Sequence, residues 1–250
     1  MRISKIVTFV ISLEEGRDRR ERLLRDLKSI SNCEVHIVNA VRGTDLPFVA
    51  RQLLAQDAGW AARKGTIGCF LSHLIAWEGV ADISEPYGVI LEDDANASNL
   101  GAIIDYELPS DADIVFINER MAPLLEIETS IEPAIYPILQ TLRRFEMNDL
   151  DMGADGYLLS PSAARKLIAA CATDSLFGHV DGRLLRYCTS PDDLAQLAPD
   201  SRVATVIKNH HHRLLAPQLG LIRGFAAAPP LISHRGVAST RAEYDGDKKS

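Results

Sequence analysis

The sequence has few of the features that mark several common protein classes. It contains only four cysteines in 250 residues, Cys33, Cys69, Cys171 and Cys188, and they form no CxxC pair. This spacing excludes a zinc-ribbon pattern and a dense disulfide framework, and it predicts reduced thiols in a cytoplasmic protein. No apolar run is long enough to span a bilayer. The net charge of -7 argues against a general nucleic-acid-binding surface.

A glycine-rich phosphate-binding loop is absent as well. The chain opens in a β-α-β order, with an apolar strand predicted at 6–13, an amphipathic helix at 17–30 and a strand at 35–38. Crossovers of this kind are almost always right-handed and join parallel strands. Because no GxGxxG follows the first strand, a dinucleotide-type phosphate cradle is excluded.

What the sequence does contain is an apolar strand that runs into three consecutive carboxylates. Residues 89–91 are branched aliphatics, and Glu92, Asp93 and Asp94 follow them directly. Unpaired buried carboxylates are very costly, so the acids must emerge at the carboxyl end of the strand, where open α/β sheets bind ligands. Three adjacent acids repel one another unless a cation lies among them, and oxygen ligands suit Mg2+ or Mn2+. A solvated acidic turn is the alternative interpretation.

A second pattern is a helix start framed by two glycines. Gly65 and Gly68 permit a tight entry turn and close backbone approach, and such a helix can present free N–H groups to an anion. Cys69 and His73 then lie four residues apart on one face. They could bind a metal or act as nucleophile and base, but the sequence shows neither a third ligand nor an orienting group. The spacing alone favours a third interpretation, a helix packed on the sheet with one satisfied histidine.

Shorter signals predict the remaining elements. Apolar runs at 113–118, 157–159 and 203–207 are typical of buried strands. Ser160 followed by Pro161 is typical of a helix N-cap and its first helical residue.

Together these patterns resemble glycosyltransferase family 25, the bacterial lipopolysaccharide galactosyltransferase-type enzymes. Any one motif is weak, but the ordered set over about 6–186 is specific. The matching residues are Val10-Ile11-Ser12-Leu13 with Arg17, Asp18, Arg19 and Arg20; Gly65-Thr66-Ile67-Gly68-Cys69 with Leu71-Ser72-His73 and Trp77; Ile90-Leu91-Glu92-Asp93-Asp94-Ala95; 153–157 with Ser160-Pro161; and Val180-Asp181. The family pattern usually has Asn, Glu and Thr where this chain has Ser12, Thr66 and Ala154, which leaves the sugar specificity open.

The resemblance implies a fold and a reaction. The expected fold is a GT-A-like α/β nucleotide-binding sandwich, with a mixed, mostly parallel central sheet flanked by helices. We expect it to form a single domain over 1–235, followed by a flexible tail over 236–250. The implied reaction is the metal-dependent transfer of galactose or glucose from a UDP-sugar to a lipooligosaccharide or other glycan, with inversion. Mn2+ or Mg2+ would neutralise the charge that develops on the diphosphate leaving group.

The resemblance also implies roles for individual residues. Asp181 is the predicted general base, with Asp155 as the second choice. Glu92 and Asp94 are the predicted metal contacts. A late loop is expected to add His234 as a further ligand and Arg235 as a diphosphate contact. The residues predicted to line the nucleotide pocket are Ser12, Leu13, Arg17, Ser72, His73, Asp93, Gly153 and Tyr157.

Two other classes of function stay open on the sequence. One is a metal-dependent phosphotransferase or hydrolase, in which an aspartate after a strand acts as nucleophile. The other is a non-catalytic UDP-sugar-binding protein on the same fold. No nucleic-acid partner is expected. Peripheral association with the inner face of the cytoplasmic membrane, through the arginine-rich first helix, is a further expectation, and the sequence does not fix the oligomeric state.

Overall fold

The computed structural model describes residues 1–124, 132–148, 150–176, 178–211, 219–236 and Asp245, with the backbone alone at 209–211. The chain opens with a β-α-β unit, and groups of helices and groups of strands follow one another after it. The strands are β1 (Ile6–Ser12), β2 (Cys33–Asn39), β3 (Gly88–Glu92), β4 (Ala95–Asn96), β5 (Ile114–Phe116), β6 (Ala134–Pro137), β7 (Gly156–Leu159), β8 (Gly224–Ala228) and β9 (Ser233–His234). The helices are α1 (Arg17–Lys28), α2 (Phe48–Ala55), α3 (Ala58–Ala62), α4 (Lys64–Ala81), α5 (Ile138–Met147), α6 (Pro161–Thr173), α7 (Val180–Cys188), α8 (Pro191–Ala195) and α9 (Arg202–His211).

Seven strands form one mixed sheet in the order β2-β1-β3-β7-β5-β8-β6. β1 is parallel to β2 and β3, and β5 is parallel to β8. β7 is antiparallel to both β3 and β5, and β6 is antiparallel to β8. Five of the seven strands described in this sheet therefore point the same way. The predicted α/β class, with a mixed and mostly parallel central sheet flanked by helices, is confirmed.

Both faces of the sheet are covered by other elements. Phe9 of β1 lies in an apolar cluster with Trp77 of α4 and Leu167 of α6. Its neighbour Val10 lies in a second cluster with Leu23 of α1. All seven residues of β1 are buried. A strand buried on both faces has a continuous apolar sequence instead of an alternating one, which explains why this strand was recognisable from its sequence.

Most of the early elements follow the sequence prediction. The opening β-α-β unit is present, and its two strands are parallel, as the crossover rule requires. The predicted cap of α6 is also present, because the hydroxyl of Ser160 accepts a hydrogen bond from the backbone N–H of Ala163 at 3.1 Å. The acidic strand is β3, and it ends at Glu92.

The strand predicted at 203–207 is wrong, since these residues lie within helix α9. Val203, Ala204 and Ile207 are buried, whereas Thr205 is exposed. Burial at positions i, i+1 and i+4 is the pattern of one helix face. The β-branched residues favour a strand locally, but packing of this face against α5 and α7 decides the outcome.

Strand β8 was missed by the sequence analysis. Its sequence is Gly-Phe-Ala-Ala-Ala, and every residue is buried. Alanine has a high helix propensity, so the local signal points away from a strand. Pairing with β5 on one side and β6 on the other holds this segment in the sheet.

One residue near the end of the sequence, Asp245, lies at the first turn of α4. Apart from Gly236 and Asp245, the predicted flexible tail lies outside the described residues. The Asp245 carboxylate accepts hydrogen bonds from the backbone N–H groups of Gly65 at 2.6 Å and of Thr66 at 3.1 Å. The domain boundary at 235 stays a prediction. Among the helices described, none has the length and apolar character needed to cross a membrane.

Candidate active site

A cavity opens at the carboxyl end of β1 and β3, beside α4 and the start of α7. The parallel pairing of β1 and β3 brings the last residues of both strands to the same edge of the sheet. Most residues that the sequence analysis selected lie here. The lining residues are Ile11, Ser12, Leu13, Arg19, Ala40, Val41, Gly43, Gly65, Cys69, Ser72, His73, Glu92, Asp93, Asp94, Arg120, Ala154, Val180, Asp181 and His234.

Asp93 faces β1 and the first helix. Its carboxylate accepts a hydrogen bond from the hydroxyl of Ser12 at 2.8 Å and forms an ion pair with Arg19 at 3.1 Å. Burial raises the pKa of Asp93, while the bonds from Ser12 and Arg19 oppose that shift. Gly16 leaves the space for this contact, because a Cβ there would lie 2.3 Å from Oδ2 of Asp93. This group is suited to binding the polar part of a ligand through the partly exposed guanidinium of Arg19, which lines the cavity together with Ser12.

Asp94 faces the late strand β9. Pairing of β4 with β9 places His234 opposite Ala95, and Nε2 of His234 lies 3.2 Å from Oδ2 of Asp94. Within the described part of the chain, the other carboxylate oxygen, Oδ1, is buried and has no hydrogen-bond partner. Burial, followed by the nearby charge of Glu92, raises the pKa of Asp94 to about 6. A buried carboxylate oxygen without a donor is the situation that a cation would relieve.

Glu92 faces α4 instead. Its Oε1 atom lies 3.4 Å from Nε2 of His73. The other ring nitrogen of His73 is 2.8 Å from the hydroxyl of Tyr157, and that hydroxyl accepts a hydrogen bond from Nε1 of Trp77, also at 2.8 Å. The three side chains behind Glu92 are fully buried. The histidine is therefore engaged through both ring nitrogens.

The structure also supplies the third group that the sequence could not place beside Cys69 and His73. One ligand atom each from Cys69, His73 and Glu92 lies within 4.8 Å of the others. This spacing is in the range of a cation site, with a softer ligand set than the carboxylates alone. By contrast, the predicted metal contacts Glu92 and Asp94 point to opposite sides, towards His73 and towards His234.

Asp155 lies beneath the cavity in an ion pair. Its Oδ1 atom is 2.9 Å from the guanidinium of Arg120. Burial raises the pKa of Asp155, and the charge of Arg120 opposes this. Gly153 makes the pair possible, because a Cβ there would lie 2.3 Å from the Arg120 guanidinium. Oδ2 of Asp155 is a second buried carboxylate oxygen without a partner among the residues described.

Asp181 is placed by the first turn of α7. It lines the cavity and is 7% exposed. Its Oδ1 atom accepts a hydrogen bond from the backbone N–H of Gly182 at 2.7 Å, which fixes the carboxylate on the cavity wall. The capping role that is common for such an aspartate does not account for its position, since His179 is the N-cap residue of α7.

Four predicted contacts do not line the cavity. Arg17 is exposed and pairs with Glu21 one helical turn away. Tyr157 is fully buried behind His73, and Gly153 leaves space for the guanidinium of Arg120. Arg235 is turned away, because its guanidinium binds Asp26 of α1 and the carbonyl oxygen of Ala95.

Two charged residues that line the cavity, Arg19 and Arg120, were not assigned a role from the sequence. Arg19 lies within the arginine-rich start of α1. In the sequence it differs from Arg17 only in its position, two residues further along the helix. Arg120 follows β5 without any local motif. Only the three-dimensional pairing with Asp155 shows its importance.

The fold and this cavity define an α/β protein with an acidic centre at the carboxyl end of β1 and β3, the edge at which open α/β sheets bind ligands. The sequence model of glycosyltransferase family 25, described as an LPS biosynthesis protein family, matches residues 5–177. The chain belongs to this family, which confirms the resemblance stated from the sequence.

Several curated proteins are similar over part of the chain. Procollagen galactosyltransferase 2 of Homo sapiens is 28% identical over 178 residues, covering 65% of this chain and 27% of that protein. Inactive glycosyltransferase 25 family member 3 of Homo sapiens is 37% identical over 95 residues, covering 34% of this chain and 16% of that protein. The chain thus spans about a quarter, or less, of the length of these relatives.

Solved structures show a looser likeness. The glycosyltransferase GlyE of Streptococcus pneumoniae TIGR4 has a TM-score of 0.42 at 12% identity, covering 97% of this chain and 60% of that one. A glycosyltransferase involved in glycosylation of the major capsid of PBCV-1 has a TM-score of 0.41 at 11% identity, covering 97% and 98%. The family assignment rests on the sequence match.

Proposed function

We propose that this protein transfers galactose or glucose from a UDP-sugar to a glycan acceptor in a metal-dependent reaction with inversion. The observation that carries the proposal is the acidic centre, in which Asp94 presents a carboxylate oxygen that has no hydrogen-bond partner among the described residues, in a cavity that Asp181 also lines. Membership of glycosyltransferase family 25 supports sugar transfer as the reaction. Relatives named as galactosyltransferases support galactose as the first sugar to test.

The residues present fit a divalent cation. Oδ1 of Asp94 is buried and has no hydrogen-bond donor within the part of the chain that the structure describes, and the imidazole of His234 lies beside the other carboxylate oxygen. Asp94 and His234 would hold the ion, with Glu92 nearby. A mixed carboxylate and imidazole set suits Mn2+ better than Mg2+, which prefers oxygen ligands. When bound, such an ion supplies Lewis-acid neutralisation of the departing diphosphate.

The donor would lie along the end of β1. Ser12, Leu13 and Asp93 stand at this edge, and Arg19 adds a positive charge. Ser72 shapes the opposite wall, because its hydroxyl donates to the carbonyl oxygen of Gly68 at 2.7 Å and accepts from the backbone N–H of Val41 at 2.8 Å. These contacts hold the loop after β2 against α4.

Asp181 is the base that the geometry favours. In a single displacement, the acceptor hydroxyl oxygen bonds to the anomeric carbon while the bond from that carbon to the UDP oxygen breaks. Asp181 takes the hydroxyl proton as this happens. Asp155 is the weaker candidate, because Arg120 occupies one of its oxygens and it does not line the cavity.

The acceptor and the cellular site are further parts of the proposal. We propose a lipooligosaccharide or a related glycan as acceptor, at the inner face of the cytoplasmic membrane. Support comes from the family description alone, which names LPS biosynthesis.

The test is a donor panel followed by product analysis. The full chain is incubated with UDP-galactose, UDP-glucose and UDP-N-acetylglucosamine, with Mn2+ or with EDTA, and its thermal unfolding is recorded. We expect Mn2+-dependent stabilisation by one donor, since a ligand that binds the folded state raises its apparent stability. Chromatography of the reaction should then show UDP and a sugar bonded to acceptor or to water.

Other outcomes identify the competing functions. Release of inorganic phosphate from the donor would indicate a phosphohydrolase. Tight donor binding without turnover on any glycan acceptor tested would indicate a non-catalytic binding protein, a class that the inactive family relative makes worth testing. Activity that survives EDTA unchanged would contradict metal dependence.

A further inference from the structure

We infer that Trp77, Tyr157 and His73 form a hydrogen-bond chain with one fixed direction, and that this chain positions the carboxylate of Glu92 in the cavity. The direction of the chain does not depend on the proposed function. Its effect on turnover rests on the proposed function, because it requires Glu92 to belong to the donor and metal site. Tyr157 and His73 are then positioning residues that act through Glu92, and Tyr157 is not a ligand contact.

The direction follows from counting donors along the chain. The indole Nε1–H of Trp77 can only donate, and it donates to the hydroxyl oxygen of Tyr157 at 2.8 Å. That hydroxyl has one proton of its own, and Nδ1 of His73 is its remaining partner among the described residues, at 2.8 Å. Nδ1 must therefore accept. In the neutral imidazole the proton then resides on Nε2, which faces Glu92 at 3.4 Å.

The surroundings keep this direction fixed. Trp77, Tyr157 and His73 are each 0% exposed, so water cannot replace a missing partner. Burial raises the pKa of the Tyr157 hydroxyl well above its usual value, which keeps it protonated and able to donate. The rings of His73 and Tyr157 are stacked, with centroids 5.9 Å apart and an interplanar angle of 16°. Rotation of the imidazole would break both of its hydrogen bonds.

The chain has a consequence for the acidic centre. Glu92 and Asp94 are close enough that the charge of each disfavours the charge of the other, and Glu92 contributes to the raised pKa of Asp94. The hydrogen bond that Nε2–H of His73 donates holds Oε1 of Glu92 towards α4 and away from Asp94. The three acids can then remain at one edge of the sheet before any ligand arrives.

The same chain limits the use of the Cys69–His73–Glu92 group as a cation site. A metal ion on Nε2 of His73 would require the proton on Nδ1 instead. Tyr157 would then accept from both Trp77 and His73, and its buried hydroxyl proton would lose its acceptor. A buried donor without a partner is destabilising, because it has lost its hydrogen bond to water and gained none in the protein. We therefore assign His73 as a donor to Glu92.

The first test reads the tautomer directly and does not depend on activity. Long-range 1H–15N correlation spectra of the 15N-histidine-labelled full chain are recorded at pH 8, with His73 assigned by its absence in His73→Gln. We expect the Nε2–H tautomer. In Tyr157→Phe, the Nδ1 resonance should move to the position of a nitrogen without a hydrogen bond. An Nδ1–H tautomer in the unsubstituted protein would overturn the inference.

The second test separates positioning from stability. Tyr157→Phe is compared with Tyr87→Phe, which removes another buried hydroxyl bond, to the carbonyl oxygen of Ala112 at 2.6 Å, before the start of β3. With UDP-galactose and Mn2+, we expect Tyr157→Phe to lose roughly 10- to 100-fold in turnover, the usual effect of removing an outer-shell partner. Tyr87→Phe should lose stability alone.

A rescue completes the experiment. His73→Gln keeps an amide N–H in the place of Nε2–H, whereas His73→Leu keeps only the volume. We expect the Gln variant to retain more turnover than the Leu variant at equal thermal stability. Equal turnover in the two, or equal kinetics in Tyr157→Phe and Tyr87→Phe, would overturn the positioning role. If the protein lacks UDP-sugar turnover altogether, the tautomer measurement still decides the direction of the chain.

Discussion

Two aspartates near the cavity differ in their suitability as a base. Asp181 lines the cavity, whereas Asp155 is paired with Arg120 at 2.9 Å. Replacement of Asp181 by Asn should therefore reduce turnover by roughly 100- to 10,000-fold with UDP affinity retained, because the proton is taken only in the transition state. Calorimetric titration with UDP and Mn2+, run beside rate measurements, checks this.

The matched variant is Asp155→Asn. It removes the charge that lies 2.9 Å from the half-buried Arg120 guanidinium, whose ion pair with Asp151 is longer at 3.9 Å, so the larger effect should be on thermal stability. A normal saturating rate in Asp181→Asn, together with lost donor binding, would make Asp181 a donor ligand and Asp155 the preferred base.

The structure and the sequence prediction differ in which arginine of α1 reaches the cavity. Arg17 was the predicted pocket residue, but its side chain is 76% exposed and pairs with Glu21. Arg19 is the residue that reaches the cavity and Asp93. Arg19→Gln should weaken UDP binding by roughly 10-fold, which corresponds to about 1.4 kcal/mol. Arg17→Gln is the control and should bind UDP normally; a reversed order in fluorescence or calorimetric titrations would contradict this assignment.

The close approach of α4 to the loop after β2 depends on a glycine in the helix, Gly68. A Cβ at Gly68 would lie 2.5 Å from the carbonyl oxygen of Val41 and 2.7 Å from the backbone nitrogen of Gly43. Both atoms belong to the backbone, so neither can move cheaply. Gly68→Ala should lower the free energy of unfolding by about 1–3 kcal/mol and also weaken donor binding, since Val41 and Gly43 line the cavity.

Gly101→Ala is the control for this helix contact. Among the described residues, its Cβ would meet Ile30 at 3.5 Å, which is an ordinary contact. Urea unfolding should show little loss for Gly101→Ala. If Gly68→Ala proves as stable as Gly101→Ala, the close approach is not required.

Elements with a strong local signal were predictable, and those fixed by distant partners were not. β1 and β3 have continuous apolar sequences, and α6 has a capping serine and a proline at its start. The segment 203–207 carries β-branched residues in a helix, and β8 carries alanines in a strand. In both cases the burial of a face against neighbouring elements outweighs the intrinsic preference of the residues.

The same division holds for the candidate site. The acidic run predicted where Glu92, Asp93 and Asp94 would emerge, because carboxylates cannot stay inside a strand. Their different directions could not be predicted, since these depend on α1, α4 and β9. Nothing in the sequence near Arg120 indicates its pairing with Asp155, because the partner is 35 residues away.

At the scale of the whole molecule, the acidic centre makes stability depend on pH. The pKa of Asp94 is raised from 3.8 to about 6, mainly by burial. Between these values the folded protein keeps a proton on Asp94 that the unfolded chain has lost. The stabilisation is thus complete below about pH 4 and is lost as the pH rises through about 6. Burial also raises the pKa values of Asp93 and Asp155, so they act in the same direction.

We expect Asp94→Asn to reduce the change in the free energy of unfolding between low and neutral pH by up to about 3 kcal/mol, which is the energy equivalent of the whole pKa shift of Asp94. Mn2+ should raise the melting temperature more at pH 7 than at pH 5, because it binds the ionised carboxylate and must compete with the proton at lower pH. Thermal unfolding at several pH values, with Mn2+ or EDTA, measures both effects. Asp18→Asn, which changes an exposed carboxylate of α1, is the matched control. A stabilisation by Mn2+ that is equal at both pH values, or that persists in Asp94→Asn, would place the cation away from Asp94.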